Sequence, residues 1–348
     1  MTTAGPDGTG LQRPDTDHVT ESAPPPSVDE VAAVGTKVLE AVGSAVVGHH
    51  DPLRLALAAI LAGGHVLIED VPGLGKTLAA RSLAAALGLD FRRVQCTPDL
   101  LPADVTGSYI FEQGRREFVF HPGPIFTGLL LMDEINRTPP KTQSAFLEAM
   151  QERQVTVEGS THGLGRPFHV LATANPIEYD GTYPLPEAQL DRFLLRLDFG
   201  YPARSEESTV LRRRIERRQE EVTVPTVTDA RTLLALQGGV EAVEVAAEIV
   251  GYCVDLVAAT RDHRSVEVGA SPRGSLALVL VARALAVLAG RDYLLPEDVK
   301  ACAVPALGHR LTLRPEMWAS GVTGQSVIAE LLDTVPTPGA APPSGAAG

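Results

Sequence analysis

The run Gly73-Leu74-Gly75-Lys76-Thr77 places two glycines, an ammonium and a hydroxyl within five residues. The apolar stretch His65 to Glu69 precedes it, and the Ala-rich stretch Lys76 to Leu87 begins inside it, so a strand leads in and a helix leads out. That is the setting a phosphate-binding loop requires. Glycines let the backbone approach phosphate, and the N–H groups at the helix start point at it. Lys76 would pair with the β- and γ-phosphates, and Thr77 would hold Mg²⁺. In the pattern GxxxxGK[ST] the first glycine would fall at Asp70; Pro72-Gly73 can supply the turn instead. The plain alternative is a glycine-rich β–α turn without a ligand.

Two carboxylates come next. Leu129-Leu130-Leu131-Met132 runs into Asp133-Glu134, a buried strand with an acidic C-terminal tip. Ligands of open α/β sheets sit at such tips. Asp133 would bind Mg²⁺ through water, and Glu134 would orient and polarise an attacking water. Asn175 ends the apolar run Val170 to Ala174 and could hold a γ-phosphate or the water, if that strand lies beside the acidic one. Arg192, in Leu185 to Phe193, could pair locally with Asp191 or Glu187, or reach a neighbouring subunit's nucleotide as an arginine finger. Ser271-Pro272 suits a helix start, and Arg273 in that first turn opposes the helix dipole. It needs an anion, either a γ-phosphate or a structural carboxylate.

The elements that carry these residues alternate. Strands at His65–Glu69, Asp90–Gln95, Leu129–Met132, Phe168–Ala174 and Phe193–Phe199 are interleaved with helical stretches, which predicts a parallel α/β sheet covered on both faces. Ser108–Phe111 and Glu117–Phe120 flank Gln113-Gly114 as a hairpin, with Phe111, Phe118 and Phe120 expected to pack beneath its charged turn. Beyond Gly200-Tyr201-Pro202 only helical periodicities remain, so an α/β domain over 29–201 is followed by an all-α domain over 202–333. The ends, 1–28 (acidic) and 334–348 (Pro/Ala/Gly), read as disordered.

Composition narrows the classes. The 348 residues carry 30 Lys plus Arg against 43 Asp plus Glu, a net charge of −13, which argues against a general nucleic-acid binder. The arginines of 212–218 are interleaved with glutamates and read as a solvated helix face. Cys96, Cys253 and Cys302 are far apart with no CxxC pair, so neither a zinc framework nor a secreted disulfide scaffold is readable. The first thirty residues lack a signal-peptide pattern, and the longest apolar run, Leu276–Leu288, is broken by Arg283. A soluble, cytoplasmic protein is expected.

Taken in order, EDVPGLGKT (Glu69–Thr77), TPDLLPADVTG (Thr97–Gly107), the run Leu129–Val157, ATANPIEYDGTYPLPEAQLDRF (Ala172–Phe193) and GASPRGSLAL (Gly269–Leu278) resemble the MoxR family of AAA+ ATPases from about Ser27 to Leu332. Asp70 fits that family's loop. The resemblance implies an AAA+ P-loop core with a helical lid, assembled as a homo-oligomeric ring, usually a hexamer, with ATP and Mg²⁺ between the two domains and between subunits. It assigns Lys76 and Thr77 to Walker A, Asp133 and Glu134 to Walker B, Asn175 to sensor 1, Arg192 to the arginine finger and Arg273 to sensor 2. It also places Val47-Gly48 against adenine, and Pro72 to Thr77 around the phosphates. Ser108–Phe120 and Gln154–Phe168 resemble the family's two hairpin insertions. Such proteins act as chaperone-like remodellers, often with a von Willebrand factor A domain partner. The competing reading is a nucleic-acid motor, since related AAA+ helicases share the second hairpin. Its turn, Glu158 to His162, has no Lys or Arg, which counts against that reading.

Overall fold

The computed structural model describes residues 26–176 and 181–339, so residues 1–25 and 340–348 of the expected disordered ends lie outside the described residues, while Val28 and Thr334 belong to helices. Ser27 caps α1 (Val28–Ala45): its hydroxyl accepts the Glu30 N–H, and the Glu30 carboxylate accepts the Ser27 N–H. Val31, Val38 and Val42 recur on one face of α1 and are buried. After α2 (His50–Leu61) come β1 (Val66–Glu69), α3 (Lys76–Ala86), β2 (Phe91–Gln95) and the single turn α4 (Pro102–Thr106). The hairpin β3 (Gly107–Glu112) and β4 (Glu117–Pro122) follows, then β5 (Leu129–Asp133) and α5 (Pro140–Glu152). A second hairpin, β6 (Gln154–Val157) and β7 (Ser160–Gly163), leads to β8 (His169–Ala174), α6 (Glu187–Leu190) and β9 (Leu195–Leu197).

Five of these strands form one parallel sheet in the order β2-β5-β8-β1-β9. β8 lies between β1 and β5, so the strand that ends at Asn175 does neighbour the acidic one. Side chains alternate across the sheet because strand periodicity is two. Leu129 and Leu131 of β5 face one apolar cluster, while Leu130 and Met132 face the other.

The remaining chain forms α7 (Arg204–Arg217), α8 (Ala230–Glu241), α9 (Ala247–Asp262), β10 (Val266–Val268), α10 (Pro272–Leu288), α11 (Pro296–Leu307), β11 (Thr312–Leu313) and α12 (Gly324–Thr334). The second unit is therefore helical apart from a two-stranded antiparallel ribbon, β10 with β11. These strands are too short to show an alternating pattern. Leu278, Val281 and Leu285 of α10 share one continuous cluster with Val38 of α1, Leu57 of α2 and Leu195 of β9. The lid thus packs onto the two N-terminal helices and the edge of the sheet. Among the described residues no helix is long and apolar enough to cross a membrane.

The hairpin differs from expectation. Phe120 packs face to face on His162 of β7, with ring centroids 3.8 Å apart. Phe111 and Phe118 pair with each other at 5.3 Å yet remain 49% and 67% exposed. Strand alternation puts all three on one face, but the second hairpin reaches only the root of the first. His162 thus lies within a strand and not at the second turn, which is made by Glu158 and Gly159 with positive φ.

Candidate active site

The loop between β1 and α3 turns on Gly73 (φ 87°) and Gly75 (φ 81°). An added Cβ at either would meet no atom within 4 Å, so the glycines are required by backbone conformation and not by crowding. Asp70, at the position of the missing glycine, anchors the loop: its Oδ2 accepts the N–H groups of Phe199 and Gly200 at 2.8 Å each, and its Oδ1 accepts that of Val71 at 2.7 Å. The loop entrance is thereby tied to the segment leaving β9. Lys76 Nζ donates to the Asp70 carbonyl at 2.7 Å. Burial holds the Lys76 ammonium below its ordinary pKa, against the opposing pull of Asp70, Asp133 and Glu134.

A cleft of about 350 Å³ joins this loop to the tips of β5 and β8, lined among others by Pro72, Gly73, Gly75, Lys76, Thr77, Asp133, Glu134 and Asn175. Thr77 Oγ1 donates to Asp133 Oδ2 at 3.3 Å, which puts two hard oxygens side by side. Together with a helix N-terminus whose cap, Gly75, contributes no side chain, this donor set fits a nucleoside triphosphate with Mg²⁺.

Glu134 sits just past β5 in the left-handed region, φ 60° and ψ 49°. Its N–H donates to Thr173 Oγ1 at 2.8 Å, and the same hydroxyl donates to Asp133 Oδ1 at 2.6 Å. One buried threonine therefore fixes both carboxylate-bearing residues. The Glu134 carboxylate is turned toward β2 and its own turn: Oε2 accepts from Gln95 Nε2 at 2.9 Å and from Arg137 Nη1 at 3.1 Å. Arg93, also on β2, donates to Asp133 Oδ2 through Nε at 3.0 Å and Nη2 at 2.7 Å.

Arg93, Gln95, Arg137 and Thr173 were not singled out by the sequence reading. The signal for the first two was present: two polar side chains at i and i+2 end a strand, so they share a face. Locating that face required the register that sets Gln95 opposite Asp133.

Other expected residues lie elsewhere. Val47 and Gly48 are absent from the cleft lining; a Cβ on Gly48 would meet the Glu206 carboxylate at 2.9 Å, at the start of α7. Arg192 pairs with neither Asp191 nor Glu187: its Nη1 donates to the Leu147 carbonyl at 3.0 Å and to Gln151 Oε1 at 2.7 Å. Arg273 follows its N-cap Ser271 as expected, but its carboxylate neighbour is Asp191 at 3.8 Å. Arg192 and Arg273 share a second cleft with Arg310, and the lid adds no residue to the lining of the first.

Residues 65–195 match the family model described as the ATPase family associated with various cellular activities, and residues 258–331 match an AAA lid domain. YeaC of Bacillus subtilis is 48% identical over 87% of this chain and 94% of its own length. Chaperone MoxR1 of Mycobacterium tuberculosis is 41% identical over 97% of this chain and 93% of its own. A crystal structure from Cytophaga hutchinsonii superposes with a TM-score of 0.83 at 39% identity, covering 89% of this chain and 97% of that one. The strand order, the loop and the acidic strand tip, with these matches, define an AAA+ ATPase. Within that class the chain belongs to the MoxR family.

Proposed function

We propose that this protein hydrolyses ATP with Mg²⁺ and uses the cycle to remodel a partner protein or complex, for maturation or cofactor insertion. The observation that carries the reading is the convergence of Lys76, Thr77, Asp133, Glu134 and Asn175 on one cleft at the end of a parallel sheet. Lys76 and the loop N–H groups bind the phosphates, Thr77 and Asp133 hold the metal, Asn175 orients the γ-phosphate or the water, and Glu134 takes the proton of the attacking water. Mg²⁺ neutralises phosphate charge when bound. For Glu134 to serve as base, its carboxylate must leave Gln95 and Arg137.

Arg192 and Arg273 support a ring. They lie together in a cleft that shares no lining residue with the loop, so each acts on a neighbouring subunit's nucleotide. A von Willebrand factor A domain protein is the partner class the family suggests, and the cytoplasm is the compartment. The acidic net charge weighs against the nucleic-acid motor.

The test is turnover. Lys76→Ala should lose nucleotide binding, because the phosphates lose their cation. Glu134→Gln should keep ATP and lose hydrolysis by ~10²-fold or more, and it should retain the partner in a pull-down. Normal turnover by Glu134→Gln would remove Glu134 from its role.

A further inference from the structure

Arg310 ends the short turn after α11, and its side chain is only 3% exposed. Its guanidinium is spent on the segment that carries Arg192. Nε donates to Asp191 Oδ1 at 2.7 Å, Nη2 to the Phe193 carbonyl at 2.9 Å and to the Asp191 carbonyl at 3.4 Å, and Nη1 to the Leu194 carbonyl at 3.3 Å. Only the Ala306 carbonyl and the His309 ring lie on its own side. The other oxygen of Asp191 faces the lid again, Arg273 at 3.8 Å and Ser271 Oγ at 3.5 Å. A fork of five donors in a fixed plane thus sets both side chain and backbone on either side of Arg192. Arg192 itself has a buried Nε with no hydrogen-bond partner, so its own contacts leave its guanidinium incompletely held.

We infer that Arg310 is a positioning residue for Arg192: through Asp191 and the carbonyls of Phe193 and Leu194, the lid fixes the arginine pair that a neighbouring subunit's nucleotide meets. This rests on the proposed action of Arg192 in trans. Lysine at 310 keeps the charge opposite Asp191 but cannot reach three acceptors in one plane. The segment would then shift, and a displacement of about 1 Å in a catalytic constellation costs on the order of 10²-fold in rate.

Subunit mixing separates this role from a merely structural one. Arg310→Lys should bind a fluorescent methylanthraniloyl-ATP within about twofold of the parent, since its own loop is untouched, while its homogeneous ATPase falls about 10²-fold. Mixed with Lys76→Ala, which keeps an intact Arg192, it should recover activity to the extent that Arg192→Ala does. Mixed with Arg192→Ala it should recover none, because both lack the same half of the interface. Asp191→Asn should fall in the same complementation class. Full ATPase of the Arg310→Lys protein, or recovery with Arg192→Ala, would overturn the inference. So would loss of nucleotide binding together with a collapsed melting temperature in both variants, which would leave Arg310 a folding residue. The pair Arg192→Ala with Lys76→Ala reports on action in trans by itself. Recovery there, without recovery for Arg310→Lys with Lys76→Ala, overturns the inference alone, and no recovery in that control overturns both.

Discussion

Glu134 occupies a backbone conformation that glycine would adopt at less cost. A left-handed non-glycine residue is disfavoured by ~1–2 kcal/mol, and here it falls on the residue proposed as the base. The Thr173 hydroxyl holds it there by accepting its N–H while donating to Asp133. Glu134→Gly and Glu134→Ala both lose the contacts to Gln95 and Arg137, but only alanine keeps the strain. Glycine also raises the entropy of the unfolded chain, which takes back part of the gain. The glycine variant should therefore be the more stable of the two by about 1 kcal/mol, read from urea melts, with hydrolysis lost in both. Equal stabilities would mean that the turn after β5 is not strained.

The order of most elements was legible in the sequence where a pattern ran long enough, although the eleven-residue α12 was not read as a helix. Four of the five sheet strands, α1, α3, α5 and α10 follow from apolar runs or 3.6-residue periodicity bounded by Gly, Pro or Ser, whereas β2 (FRRVQ) has no apolar run. β10, β11 and α4 were missed because two to five residues carry no period. The phosphate loop and the acidic strand tip were legible because their chemistry is local. Arg93, Gln95 and Arg310 were not, because each meets its partner only after distant segments are set side by side. The hairpin shows the same limit: alternation gives the face that Phe111, Phe118 and Phe120 share, but not how far the second hairpin extends beneath it. Exposed cross-strand pairs contribute ~0.2–1 kcal/mol, whereas Phe120 is partly buried and gains a share of the ~1.5–3 kcal/mol that full burial of a phenyl ring contributes. Phe120→Ser should therefore cost more stability than Phe111→Ser or Phe118→Ser, and the last two should leave basal ATPase within about twofold. If all three cost the same in denaturant melts, the His162 stack carries no weight.

Three buried histidines tie the molecule together across its layers. His65 receives the Val170 N–H on Nδ1 and donates to the Met150 carbonyl. His169 donates to the Gly64 carbonyl and takes a hydrogen bond from Gln237 of α8. His309 faces the Phe193 carbonyl from the lid. Burial pushes the pKa of His65 down to about 3 and that of His169 to about 4, and holds that of His309 well below its ordinary value. The folded pKa values are depressed, so the unfolded chain takes up protons first. Stability is intact above the ordinary value of about 6.5 and is lost as pH falls from there toward 4 and 3. At pH 5, His65 and His169 should each cost about 2 kcal/mol relative to pH 8. Melts across that range should show this loss, and His65→Gln with His169→Gln should shrink it between pH 5 and 6.5, leaving the part that His309 contributes.

The apolar cluster that runs without a break from α1 and α2 into α10 changes what counts as a transferable part. The end of the strand patterns after Gly200-Tyr201-Pro202 suggests a border near residue 201. In space, the partners of the lid's inner face lie largely before residue 62, on α1 and α2. A lid exchanged between relatives at that border would arrive without the two helices shaped to receive it, and the recipient core would meet it with a surface fitted to a different lid. The unit to graft is discontinuous, α1 and α2 together with everything after β9, with the nucleotide-binding strands set into it as an insertion.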